Sequence, residues 1–217
     1  MPRGRSASYD DQRNLILRRA AALFAKHGYP STSMNQVAQA CELSKATLYH
    51  YYRDKYSLLV SIADGHVSRL AALVDDEPTL DLDGEARLRH LIHRIVEEYA
   101  GAQDAHRVLT EDVRFLEAED RERVLGKERR VVAGFADAVA EMRPGAPGAP
   151  LAKPLTMLLF GMVNWMFTWM KPDGALSHAA MGPIVADLFL GGIGKVELPP
   201  LAVPYAPQPE PAAAPDA

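Results

Sequence analysis

Residues 33 to 55, SMNQVAQACELSKATLYHYYRDK, constrain the fold more than any other stretch of this chain. Met34, Val37 and Ala38 recur at helical spacing, Cys41-Glu42-Leu43 breaks the period, and Ser44 opens a second short helix. That second helix carries Lys45, Thr47, Tyr49 and His50, donor-bearing side chains crowded within two turns. A helix, a tight turn and a helix rich in exposed donors is the arrangement by which side chains are presented to a DNA major groove.

Helical periodicity continues through most of the rest, and no period-two alternation survives, so the expected fold class is all-α with about nine helices. A first helix runs from about Tyr9 to His27, with Ile16, Ala20, Leu23 and Phe24 on one face and Gly28 as its stop. Ser31-Thr32-Ser33 supplies N-cap oxygens for the second helix. Asp54 caps a long fourth helix with a stripe of Leu58, Leu59, Ile62, His66, Leu70 and Leu73. Further helices are expected over 87–102, 105–116 and 121–142, then, after the break at Pro144 to Pro150, two apolar ones over 151–170 and 176–191. The expected organisation is a three-helix head (1–54), a helical body (55–197) and a proline-rich tail (198–217) with few apolar anchors.

Charge divides along the same line. The chain carries −4 overall, but residues 1 to 60 hold nine Lys and Arg against four Asp and Glu, a net of +5 that leaves −9 for the remainder. A basic head on an acidic body means that only the head is suited to phosphate. The single cysteine, Cys41, excludes an internal disulfide and fits a reducing cytosol, so a cytoplasmic location is expected. Leu155 to Met170 is the longest approach to a membrane span, but its 16 residues fall short of the ~20 that a bilayer requires, and a buried helix is the expectation.

The block LFAKHGYPSTSMNQVAQACELSKATLYHYYRDKYSLL resembles the DNA-binding domain of TetR-family transcriptional regulators. The resemblance covers about Asp11 to Leu59 and includes Phe24, Gly28-Tyr29, Thr32-Ser33, Val37-Ala38, Leu43-Ser44-Lys45, Thr47-Leu48-Tyr49 and Tyr52-x-x-Lys55. It implies DNA contacts from Thr32, Ser33, Ser44, Lys45, Thr47, Tyr49, His50 and Lys55. Lys45 and Thr47 lie in the first turn of the recognition helix, where an ammonium meets guanine or phosphate and a methyl meets thymine. Tyr49 and His50 are placed for phosphates, Thr32 and Ser33 for a phosphate at a helix N-terminus, and Lys55 for the next phosphate. Arg3, Arg5 and Arg13 can add an arm along a groove. Leu48 and Tyr52 read as core, and Thr32 and Ser33 would cap their helix with or without DNA. Where many family members carry Gly, this chain has Glu42, which costs ~1 kcal/mol if its φ is positive. Such a head contacts too little DNA alone, so a two-fold dimer on a pseudo-palindrome is expected.

In the body, Leu155, Leu158, Met162, Trp165 and Trp169 lie on one stripe of an apolar helix, with Leu159, Met166 and Phe167 on others. Such a helix must be buried all round, and the family resemblance implies that the last two helices pair with their copies in a dimer bundle. Asn164-Trp165-x-x-x-Trp169-x-x-Pro172-Asp173-Gly174 is similar to a subgroup of TetR regulators answering to acyl-CoA thioesters in fatty-acid, phenylacetate or sterol catabolism. This looser resemblance implies an acyl or aryl pocket among the central helices involving Phe160, Asn164, Trp165 and Trp169, with Arg107 and Arg114, seven residues apart on one face, at the CoA phosphates. The competing readings are that both tryptophans anchor the core, that Asn164 bonds another helix, and that the arginines pair with Glu111, Asp112 and Glu117.

No Ser-His-acid or Cys-His grouping supports an enzyme acting on CoA thioesters, and His90-x-x-His93 lacks the partners of a metal site; no cofactor is implied. The expectation is a homodimeric repressor, released from a pseudo-palindromic operator by a small molecule, first of all an acyl-CoA. The rivals are an efflux-type repressor sensing a lipophilic compound and a ligand-independent architectural DNA-binding dimer.

Overall fold

The computed structural model describes residues 7–76, 82–142, 149–170 and 176–194. Among them are nine α-helices and no strand: α1 (Ala7–His27), α2 (Met34–Ala40), α3 (Lys45–Tyr51), α4 (Lys55–Asp76), α5 (Gly84–Gly101), α6 (Gln103–Asp112), α7 (Ala118–Glu141), α8 (Ala149–Trp169) and α9 (His178–Ile193). The first three form the head. Ile16, Ala20 and Phe24 of α1, Val37 and Ala38 of α2, and Leu48 of α3 converge in its core. Arg3, Arg5, Pro172-Asp173-Gly174 and the proline-rich tail, singled out in the sequence, lie outside the described residues.

Helix α4 leaves the head and runs through the body. Its first turn is capped by Asp54, whose Oδ1 accepts from the Ser57 amide at 2.7 Å. Leu58, Leu59, Ile62, His66 and Leu70 are buried as their spacing predicts, and Leu73 is partly buried. By length and composition α4, among the described residues, is the helix apolar enough to cross a membrane, and half of that window is buried in this fold.

Helix α7 is laced to α4. Lys127 reaches Asp64 at 2.6 Å and Ser68 at 2.8 Å, Arg123 reaches Asp64 at 3.3 Å, and Arg130 reaches Asp75 at 2.8 Å. The two backbones approach so closely at Gly134 that a Cβ there would sit 1.8 Å from Val74 Cγ1, which is why this position carries no side chain. On the opposite side α5 packs on α9, with Arg89 bonded to Asp187 at 2.6 Å.

One expected helix is divided. The stretch 105–116 is α-helical only to Asp112, and Val113–Phe115 then tightens into a 3₁₀ turn closed by Leu116 N–H on the Val113 carbonyl at 3.1 Å. The seven-residue spacing of Arg107 and Arg114 therefore crosses from α6 into a 3₁₀ turn.

Candidate DNA interface and effector groove

The head presents α3 because two caps and one strained residue fix its approach. Ser33 Oγ accepts from the Gln36 amide at 3.3 Å while Gln36 Oε1 accepts from the Ser33 amide at 2.7 Å, a complete capping box for α2. After α2 the chain turns through Glu42 at φ 57°, and Leu43 N–H closes back on the Ala38 carbonyl at 2.9 Å. A glutamate thus occupies the left-handed position expected of glycine, at a cost of ~1 kcal/mol. Ser44 then caps α3, accepting from the Thr47 amide at 3.0 Å.

Lys45, Thr47, Tyr49 and His50 are all exposed on α3, while Leu48 faces inward and is fully buried. Lys45 Nζ lies 5.9 Å from the Tyr49 ring centroid, so cation and phenol share one outer surface. His50 meets the edge of Tyr51, which stacks on Tyr9 of α1 at 4.9 Å. Ser44 and Ser33 are exposed at the starts of their helices, though their hydroxyls already serve as caps.

Two residues expected at phosphates are turned the other way. The Thr32 side chain is only 2% exposed, and its hydroxyl donates to the Gly28 carbonyl at 3.0 Å, tying down the end of α1. Lys55 Nζ donates to the carbonyls of Tyr29 at 2.7 Å and Pro30 at 3.1 Å, and lies 4.4 Å from the Tyr29 ring centroid. Its desolvation lowers the ammonium pKa below the ordinary lysine range. Both side chains thus donate to carbonyls of the loop after α1, that of Tyr29 also accepting from the Thr32 N–H at 3.3 Å. Arg13 likewise lies against the protein, its guanidinium 5.2 Å over the Tyr52 ring.

The body holds two spaces of different kind. Between α6 and α8 runs a groove of about 540 Å³ lined by Arg107, Thr110, Glu111, Gly161, Asn164, Trp165 and Thr168. Its walls are two helix faces at i, i+3, i+4 spacing, a signal present in the sequence for Thr110, Glu111, Gly161 and Thr168 although only Arg107, Asn164 and Trp165 were expected there. Arg107 Nε is bonded to Glu111 at 2.9 Å, and the buried Asn164 Oδ1 has no hydrogen-bond partner among the described residues. Arg114 is not part of this groove; its guanidinium stacks over Phe115 at 4.9 Å.

The interior expected to hold an acyl chain is filled. Tyr99, Gln103, His106, Val163, Met166 and His178 surround a gap of about 10 Å³, room for one water. Phe160, expected at the ligand, instead packs edge-on against Phe135 at 5.0 Å in the core. Beside the gap, His66 Nε2 and His106 Nδ1 lie 3.2 Å apart, His106 stacks on Tyr99 at 3.8 Å, and Arg69 bonds Glu98 at 2.6 Å. Burial pushes His106 down to about 3, with His66 adding to the effect, and lowers His66 as well. Among the described residues no cluster suits a metal ion, and His93 pairs with Glu97 at 3.2 Å.

Trp165 and Trp169 do not anchor the core. They are 66% and 53% exposed, beside Met157 and Leu158 on α8 and Ile184 and Leu188 on α9. Leu155 and Met166 of the same helix do face inward. The helix expected to be buried all round is therefore buried on one side only within a single chain.

Residues 16–62 match the model for bacterial regulatory proteins of the tetR family, and residues 81–193 match that for the tetracyclin repressor-like C-terminal domain, so head and body agree. The chain belongs to the TetR family. A TetR-family regulator from Bordetella parapertussis superimposes with a TM-score of 0.78 at 34% identity, covering 86% of this chain and 98% of the other. AibR, solved with isovaleryl coenzyme A and operator DNA, gives 0.67 at 25% identity over 83% and 96%. The repressor KstR2 of Rhodococcus jostii is 22% identical over 84% of this chain and 91% of its own. Other curated relatives are spanned only in part: the match covers 50% of FasR, an activator from Mycolicibacterium smegmatis, and 18% of YuxN from Bacillus subtilis. As a TetR-family member, the protein is a DNA-binding transcriptional regulator.

Proposed function

We propose that this TetR-family protein is a homodimeric repressor that leaves a pseudo-palindromic operator when a small molecule, first of all an acyl-CoA thioester, occupies the α6–α8 groove. In this reading residues 1–54 read DNA and residues 55–197 carry effector and dimer surfaces. Lys45 and Thr47 meet base edges, while Tyr49, His50, Ser33 and Ser44 meet phosphates. A second copy covers the apolar face of α8 and α9, which places two α3 helices about 34–36 Å apart on DNA.

The observation that carries the effector reading is the groove itself. At about 540 Å³ it lies within the ~300–1,000 Å³ range of small-molecule sites. It combines an arginine, an unpartnered amide oxygen and an indole face, which suit phosphate, a donor on the ligand, and an apolar or adenine surface. AibR, named with isovaleryl coenzyme A and an operator, supports the same class of ligand. The groove lies on α6, which ends one residue beyond Glu111, at Asp112, and packs against α1 of the head. Occupancy can shift α6 and, with α4, the spacing of the heads; a 100-fold loss of operator affinity needs ~2.7 kcal/mol of differential binding.

The filled interior favours the ligand-independent dimer as the second reading. One titration separates them. An operator is first selected from random duplexes with the purified protein, and isovaleryl-CoA and longer acyl-CoAs are then added while anisotropy of the duplex and Trp165 emission are followed. Release at micromolar thioester, blunted by Arg107→Ala, is the expected result. Operator binding and melting temperature both unmoved by every thioester would overturn the effector assignment and leave the architectural dimer.

A further inference from the structure

Helix α7 takes its N-terminal cap from the head. Its N-cap residue, Glu117, makes no side-chain cap bond, and Asp120 stands at the third position of the helix. In a capping box the side chain at that position bonds the N-cap amide itself. Here the Tyr56 phenol is set between the two. It accepts from the Glu117 N–H at 3.0 Å and donates to Asp120 Oδ2 at 2.6 Å. The other oxygen of Asp120 accepts from Arg123 at 2.6 Å, and Arg123 reaches Asp64 at 3.3 Å. Two residues of α4 and two of α7 thus close a ring.

Tyr56 is the second residue of α4 and falls within the matched head domain, whereas Glu117 and Asp120 fall within the matched body domain. This end of α4 moves with the head, because α4 packs against α1 and both Leu58 and Leu59 are fully buried. A second contact lies alongside, where the Tyr29 ring meets Phe115 of the 3₁₀ turn at 5.5 Å. The corner 113–120 therefore touches the head at Tyr29 and Tyr56, and it directly continues α6, which carries the groove. While the phenol stays in place, α7 is capped and the head keeps one angle on the body. A head that swings away gives up the cap and the charge-assisted bond to Asp120 together.

We propose that Tyr56 is a positioning residue: by completing the cap of α7 it fixes the angle of the DNA-reading head, and so raises operator affinity without touching DNA. The proposal rests on the DNA-binding reading given above. With the heads pinned, the two α3 helices of a dimer are already oriented for successive grooves; with the heads free, binding must order them.

The test uses the full-length protein and a duplex selected by the wild type from random sequence. Dissociation constants of Tyr56→Phe, Asp120→Ala, Asp120→Asn and the double variant Tyr56→Phe/Asp120→Ala are measured over a range of salt. Phe keeps the ring and removes only the hydroxyl. Tyr56→Phe and Asp120→Ala are each expected to weaken binding by about tenfold, within the ~5–150-fold range of coupling between distant sites, with the salt slope unchanged. The double variant is expected to be no weaker than either single one, since both remove the same bond. Asp120→Asn, which keeps an acceptor for the phenol, is expected to bind more tightly than Asp120→Ala. A charge effect at Asp120 has the opposite sign, because removing a negative group strengthens attraction to DNA. Wild-type or tighter binding by Tyr56→Phe, or losses that multiply in the double variant, overturn the proposal. Hydrogen exchange reads the cap without DNA. The Glu117 amide is expected to exchange more slowly in the wild type than in Tyr56→Phe, while amides from Val131 to Val139 stay equally protected in both. Equal exchange at Glu117 in the two proteins overturns the shared cap; failure of the wild type to select any duplex counts against DNA binding and leaves this measurement to decide the cap.

Discussion

The outward faces of α3 and of α8–α9 are opposite in chemistry. On α3 the exposed residues are Lys45, Thr47, Tyr49 and His50, over the buried Leu48; on α8 and α9 they are Leu158, Trp165, Trp169, Ile184 and Leu188, over buried Leu155, Leu159 and Val185. The α3 surface is stable in water, because each of its polar groups is solvated until a ligand arrives. The α8–α9 surface loses free energy in water, at about 25 cal/mol per Å² of apolar area left uncovered. One face waits for a polyanion and the other calls for a second protein surface.

The comparison breaks most visibly on the apolar side. Replacing both Leu158 and Leu188, which are 65% and 67% exposed, by Lys is expected to leave a folded monomer with full helical dichroism. Operator affinity should then fall by on the order of 100-fold or more, since one head alone makes too few contacts. Sedimentation that still shows a dimer would mean that another surface joins the copies.

On the polar side, Lys45→Ala is expected to cost about 1–3 kcal/mol on the selected operator and to relax base preference at one position of each half-site. Tyr49→Ala should instead weaken all duplexes alike. Competition between selected and random DNA distinguishes the two, and equal losses on both for Lys45→Ala would move that lysine to the phosphates.

The interiors differ as well. The head core is apolar apart from Thr32, Cys41 and Tyr52, whereas the body encloses His66 and His106. Both histidines have folded pKa values below the ordinary ~6.5, so the unfolded chain binds more protons and stability is lost as pH falls. The loss starts as pH drops below about 6.5 and continues towards about 3 for His106, amounting to roughly 1–2 kcal/mol by pH 5. Glu128 and Asp112, raised by burial, act with the opposite sign and offset part of it at lower pH. Thermal unfolding of wild type and His106→Gln at pH 7 and 5 checks this; an identical pH dependence in the two would remove His106 from the account.

The smallest effect concerns presentation of the polar face. Ser44→Ala removes the hydroxyl that accepts from Thr47 N–H and should lower stability by about 1 kcal/mol, read as a shift in denaturant midpoint. Ser44→Gly, which suits a cap better than Ala, should recover most of it.

Much of this was legible residue by residue. The stop at Gly28, the cap at Ser33, the break at Glu42 and the cap at Ser44 are local signals, decided within four residues of chain, and each stands where its spacing puts it. The groove was half legible, since Arg107, Asn164 and Trp165 meet there. Arg114 was misplaced because its guanidinium packs over Phe115 instead of reaching the groove, Phe160 because apolar periodicity does not distinguish a core wall from a pocket wall, and Trp169 because it lies exposed beyond the groove.

By itself the sequence determined an all-helical chain with a basic reading head, because periodicity, caps and charge act over a turn or two. Only the tertiary structure decided which polar side chains remain available. Lys55 is used up on the carbonyl of Tyr29, 26 residues earlier, and Thr32 on that of Gly28, while Lys45 and Tyr49 stay free at the surface. The reason is that a carbonyl accepts from whichever donor the packing brings within reach, and that depends on how distant helices pack.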